Sequence, residues 1–267
     1  VYSNPLSTIR QYLSGAVGDL IFGTFDSGTT TTGVHTFLRQ ADDYYNEHRY
    51  KCYIYAGTDI GEERVVSDWV LSTHTLTLDP AFSSAIDATS KYELHRIFSA
   101  DEYLKAINLA IEDAALHGYL LDLTDETTIT LVADTYEYTL PTTMSYIHRI
   151  TTENEADSGD FYESGVIDTR DWELISSRKL KLNYDRYSIT AGKDLRVEGQ
   201  GRQAVVSADA DVIKLPTDWL IQKSITFLPE VKILSNKLDR TYAKAMDYVA
   251  RYPLSGYPNP WARKVAE

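Results

Sequence analysis

The alternation of apolar and polar positions changes character along the chain and predicts a β-rich first part and a mixed remainder. Residues 7–14 (STIRQYLS) can form a short helix that ends at Gly15. Two apolar runs then flank a Thr/Gly-rich stretch, which predicts strand, turn, strand around Ser27–Gly33. Residues 50–56 (YKCYIYA), 64–72 (RVVSDWVLS) and 91–97 (KYELHRI) read as further strands, separated by the turns GTDIGEE and DPAF. Residues 73–78 alternate strictly, with Thr75 and Thr77 on one face and Leu76 and Leu78 on the other.

The period changes at Ser99. Ser99 and Glu102 have the spacing of a capping box, in which each side chain satisfies the other residue's backbone N–H. Behind them Leu104, Ile107, Ile111 and Ala114 share one helical stripe, and Gly118 supplies a stop. Period two returns over 127–139, with a turn near Ala133–Asp134, and again in YIHRITTE and DWELI. ENEADSGDFYESG reads as an exposed acidic loop, and LKLNYDRYSI with LRVEGQG as a hairpin turning at Ala191–Lys193. From Pro216 the chain is helical: Thr217 is the expected N-cap, and Pro229 kinks or restarts the helix. Val231, Leu234, Leu238, Tyr242, Ala245, Val249 and Tyr252 keep helical spacing and predict one long helix over 230–252. Pro253, Pro258 and Pro260 forbid a regular helix beyond it.

The predicted class is α+β. A small N-terminal β-barrel or sandwich domain occupies residues 1–98. A helical core with a β-hairpin insertion fills 99–252, and an extended C-terminal arm covers 253–267. Tyr is over-used, 20 against 7 Phe and 4 Trp, which suits half-buried strand faces or protein interfaces. The net charge of −13 argues against gripping nucleic acid, which needs a Lys/Arg surplus. Residues 217–267 carry a net +3, so residues 1–216 carry −16. That asymmetry either lets a basic C-terminal part meet an acidic partner surface or reflects a small sample of charges. Cys52 is the only cysteine, sits in an aromatic run and reads as a small buried hydrophobe. No apolar run approaches the roughly 18 residues of a membrane span, and residues 1–13 show no signal pattern, so a reducing aqueous compartment is expected.

The residues offer little chemistry. The six histidines (His35, His48, His74, His95, His117 and His148) show no three- or four-residue spacing, although His74 and His95 can meet in space. Asp42–Asp43, Glu62–Glu63 and Asp209 with Asp211 are either cation-holding pairs or solvated turns. No phosphate loop, dinucleotide fingerprint or nucleophile elbow is present. Gly199-Gln200-Gly201 beside Arg196 and Arg202 is either a small anion nest or a hairpin end. The reading is a non-enzyme without cofactor or metal.

Two segments carry a resemblance. The first runs from GDLIFGTFDSGTTTTGVHTFL through YIYAGTDIGEERVV to YELHRIFSADEYLKAINLAI. The second is LRVEGQGRQAVVSADADVIKLPTDWLIQKSITFL. Together they resemble the adaptor, or head-to-tail connector, class of tailed-bacteriophage neck proteins. In that class a strand of L-R-[IV]-x-G type, here Leu195, Arg196, Val197 and Gly199, leads into an acidic segment, here Asp209 and Asp211. A Pro-initiated helix on an aromatic anchor follows, here Pro216 and Trp219, and Ala106–Ile111 matches the first core helix.

The resemblance implies a structural virion protein made in the host bacterial cytoplasm. It implies a homo-oligomeric, dodecameric ring beneath the portal protein, joining portal to a tail-side neck protein. Viral DNA passes through its lumen without specific binding, and no membrane is involved. Trp219, Leu234, Leu238 and Tyr242 are the expected assembly and core residues. Pro253, Tyr257, Pro258, Pro260, Trp261, Arg263 and Lys264 are the expected partner-binding residues of the arm, unless Trp261 folds back onto its own subunit. A tail or baseplate component, a carbohydrate- or receptor-binding module, and a hydrolase with dispersed carboxylates are the competing readings.

Overall fold

The computed structural model describes residues 2–156, 158–175, 178–254, 256 and 258–265. In chain order the elements begin with β1 (Asn4–Pro5), α1 (Leu6–Ala16), β2 (Ile21–Thr24), β3 (Ser27–Gly28), β4 (Thr32–Val34) and α2 (Tyr44–Glu47). There follow β5 (Lys51–Ala56), β6 (Glu63–Val70), β7 (Thr75–Asp79), β8 (Lys91–His95) and α3 (Ala100–Leu116). Next come β9 (Leu121–Asp125), β10 (Glu137–Thr139), β11 (Met144–Thr152), β12 (Trp172–Ile175), β13 (Lys179–Leu182) and β14 (Leu195–Gly201). The chain closes with β15 (Val212–Ile213), α4 (Thr217–Ile225), α5 (Glu230–Ser235), α6 (Asp239–Arg251) and β16 (Arg263–Lys264). Helices and antiparallel sheets together make an α+β protein.

Two compact units result, Val1–Asp113 with Val205–Leu254 and Ala114–Ala204 with Ser255–Glu267. This division differs from the sequence cut at Phe98. The chain leaves the first unit near the end of α3 and re-enters it at Val205, where β15 pairs with β1 (Asn4 with Ile213). Turn and capping signals are local and do not report such a return.

In the first unit seven strands lie in the order β2-β8-β5-β6-β7-β4-β3, all paired antiparallel. The strands at the two ends of that order, β2 and β3, are consecutive in the chain, with Phe25 and Asp26 between them. Consecutive Cα atoms are about 3.8 Å apart, so the sheet must curl until its ends nearly meet. Trp69, Tyr92, Tyr45, Phe25, Ile54 and Leu76 fill its interior. Tyr45 packs edge-on against both Tyr50 and Trp69, so much of the tyrosine excess here is core. Cys52 is fully buried among them, and burial pushes its thiol pKa up.

The capping box forms: Glu102 N–H donates to Ser99 Oγ at 3.2 Å and Ser99 N–H donates to the Glu102 carboxylate at 2.7 Å. Just ahead of it, the buried Asp19 carboxylate accepts from the N–H groups of Arg96, Ile97 and Phe98 and from the Tyr103 hydroxyl. Four donors on one carboxylate fix the bend between β8 and α3.

The long helix expected over 230–252 is two helices. Pro229 is the N-cap of α5, and α5 stops at Ser235. Asn236 turns its side-chain amide back onto Lys232 O, and Lys237 is left-handed (φ 58), so the ladder cannot continue. Apolar spacing alone did not show this break, because Leu234 and Leu238 keep register across it.

The second unit has two sheets, β16-β11-β14-β9 and β10-β13-β12, around Leu131, Ile147, Ile150, Trp172, Leu180 and Val197. The hairpin expected between 180–189 and 195–201 does not form. β13 pairs with β10 and β12, whereas β14 pairs with β11 and β9. β9 was not among the expected strands although its LDLTD alternates, and of 127–139 only β10 is a strand, with Thr130 making an isolated bridge to Asp194.

Candidate functional site

Gly199 and Gly201 lie inside β14, opposite a stretch of β11 that shifts register at Met144/Tyr146 and Ile147/Arg149. A Cβ on Gly199 would strike Tyr146 O, and one on Gly201 would strike Thr143 O. The glycines therefore admit close backbone approach at bulges, which replaces both sequence readings of Gly199-Gln200-Gly201.

The arm is folded onto the second unit. Arg263 and Lys264 pair with Ile147 and Tyr146 as the outermost strand, and Val265 is buried with its N–H on Ser145 O. The Arg263 guanidinium sits 4.2 Å over the Trp172 ring and donates to the carbonyls of Trp172 and Thr169. Asn259 N–H donates to Gln200 Oε1 at 2.7 Å, and Asn259 Oδ1 accepts from Trp261 N–H at 3.0 Å. Pro258 and Pro260 are exposed, and the Trp261 side chain is 86 % exposed. Arg263 is thus an intramolecular clamp, while Trp261 is presented outward. Pro253 is exposed and belongs to the first unit. Tyr257 lies outside the described residues.

The expected assembly residues divide as well. Trp219 is buried on α4 and is core. Leu238 and Tyr242 are half-buried. Val231 and Leu234, expected to be packed, are 78 % and 57 % exposed, because α5 turns Ile233 inward instead. Lys237 between the two helices and Arg240 and Lys244 on α6 are exposed and have no carboxylate partner among the described residues.

A buried ionic cluster escaped sequence reasoning. Arg10 Nε donates to Glu93 Oε2 at 2.7 Å, and Arg10 Nη1 donates to Asp209 Oδ1 at 2.5 Å. The same guanidinium stacks on Tyr53 at 4.3 Å, and the Tyr53 hydroxyl donates to Asp209 Oδ2 at 2.6 Å. His95 Nε2 lies 3.4 Å from Glu93 Oε2. Burial, aided by the Arg10 charge, pushes the His95 pKa down to about 3, so the imidazole is neutral. Burial raises the Glu93 pKa against the pull of Arg10. The sequence did carry a signal: Arg10 falls on the α1 face that also holds Leu6, Ile9 and Leu13. Arg10, Glu93 and His95 are all shielded from solvent, so the cluster braces α1, β8 and the Asp209 segment rather than meeting a substrate.

The acidic pairs are satisfied internally. Asp42 accepts from Leu71 N–H, Asp43 from Asn46, and Glu62 from Ser83 and Arg64. Asp211 accepts from the N–H groups of Ser207 and Ala208. His74 Nδ1 lies 3.1 Å from Leu38 O, whereas His95 sits against Glu93. Among the described residues no group of three or more His, Cys, Asp or Glu can hold a metal ion, and no helix is long and apolar enough to cross a membrane. The chain matches no protein-family model and no curated protein sequence.

Proposed function

We propose that the chain is a structural subunit of a tailed-bacteriophage neck, an adaptor that assembles with copies of itself into a ring beneath the portal. On this reading the curled seven-stranded sheet is a barrel module. The helices of the first unit make the ring, and the second unit with its arm faces the portal or a tail-side protein. The observation that carries it is the apolar stripe of Val231 and Leu234, left exposed on α5, with the exposed cations Lys237, Arg240 and Lys244, which pair with no carboxylate among the described residues, following in the chain. Such a face suits a neighbouring copy whose surface belongs to the strongly acidic remainder of the chain. A contact between two different faces closes into a ring when the rotation allows. The negative bulk charge also suits a lumen that does not retain DNA.

Light scattering and negative-stain imaging of purified protein test this. Rings are the expected result, and Val231→Asp with Leu234→Asp should give folded monomers. A chain that stays monomeric at high concentration, or rings indifferent to both substitutions, would sink the proposal.

A further inference from the structure

The second unit contains a cleft of about 960 Å³ whose lining is chemically one-sided. Arg178, Arg202 and Lys264 line it together with the hydroxyl-bearing Thr142, Ser145 and Tyr146, and no Asp or Glu among the described residues does. That is a marked local bias in a chain with 39 acidic and 26 basic residues. Arg178 is pre-set: its Nη2 donates to Pro141 O and Met144 O, both at 2.6 Å. Its Nε is buried with no hydrogen-bond partner among the described residues. Arg202 and Lys264 are exposed and have no carboxylate partner among the described residues. Three cations held together without counter-charge repel one another, and an anionic ligand relieves that repulsion.

We infer that this cleft receives an acidic segment of a partner protein. Its volume far exceeds one small oxyanion. Lys264 lies on β16, which among the described residues pairs only with β11 and is the outermost strand of its sheet. An extended peptide can therefore find backbone groups beside the cations. Nucleic acid fits less well, because its affinity is built from many phosphate contacts along the strand and only three cations line the cleft. The hydroxyls of Thr142, Ser145 and Tyr146 add neutral donors for carboxylate oxygens. This inference does not depend on ring formation, which is read at Val231 and Leu234.

The test is fluorescence anisotropy of a labelled oligoglutamate peptide titrated with the full chain at low salt. A labelled oligothymidylate and inorganic phosphate serve as comparison ligands. The peptide should bind, and Arg202→Ser with Lys264→Ser should weaken it at least about tenfold. The charge-preserving pair Arg202→Lys with Lys264→Arg should restore binding, which a merely unfolded variant would not. Absent peptide binding, equal binding by the Ser variant, or tighter binding of the oligonucleotide would each overturn the assignment. Full displacement of the peptide by millimolar phosphate would make the cleft a small-anion site and overturn it too.

Discussion

Arg10 and Glu93 are 83 positions apart and meet through two hydrogen bonds where each is almost wholly shielded from solvent. Desolvating such a pair costs several kcal/mol, so the geometry must be complete for it to hold. Arg10→Met strands both Glu93 and Asp209 without their cation. We expect a loss of about 3–5 kcal/mol in denaturant unfolding. Arg10→Met with Glu93→Leu should lose less than the sum of the two single changes, by at least about 1 kcal/mol. Additive losses would show that the pair is not coupled.

His95 should make stability depend on acid. Its folded pKa is depressed to about 3 from the ordinary 6.5, with burial the main cause. The unfolded chain takes up a proton below about pH 6.5 and the folded chain does not until near pH 3. Its contribution is therefore complete above pH 6.5 and is lost as pH falls, with a slope approaching about 1.4 kcal/mol per pH unit. Glu93, whose pKa is raised, acts with the opposite sign, so the comparison is made between parent and His95→Phe. Unfolding free energies between pH 7 and pH 4 should fall less steeply for the variant. Parallel curves would contradict the assignment.

Two glycines should respond in opposite directions. Gly199→Ala drives a methyl into a backbone carbonyl that cannot give way, and we expect a loss of about 1–3 kcal/mol. Gly15 lies on α1, and a methyl there would meet only Leu20 Cδ2, at 3.9 Å, so Gly15→Ala should gain about 0.5–1 kcal/mol from helix propensity. Melting temperatures read both, and a tolerated Gly199→Ala would mean that β11 can move.

The arm gives a paired comparison. Arg263→Ala removes the clamp on Trp172 and on the Thr169 carbonyl, and should destabilise the protein by about 1–3 kcal/mol. Trp261→Ala removes an exposed side chain and should change stability by no more than about 0.5 kcal/mol. A large loss at Trp261 would mean that its ring is packed against the subunit.

These residues show what the sequence could and could not reveal. Ser99 and Glu102 were legible because a capping box is a contract between near neighbours, and β5 to β8 because alternation is local. Arg263 was not, because its partners Trp172 and Thr169 are about ninety positions away. Asp209 read as part of a cation-holding pair or a solvated turn for the same reason: its counter-charge, Arg10, lies 199 positions earlier. Val231 and Leu234 kept the spacing of a core stripe, yet spacing says which side chains share a face and not whether anything covers it.

The continuity of β2 into β3 leaves the seven-stranded sheet with little open border. An open sheet leaves two rows of unpaired amides and carbonyls that can recruit a stranger's strand and seed insoluble fibres. Here one short stretch of chain, Ile21–Gly28, supplies both borders of the seven-stranded sheet. One border strand is four residues long and the other two. Little of that sheet is left for an invading strand to template on, so association through this sheet must use side chains rather than its hydrogen-bond ladder.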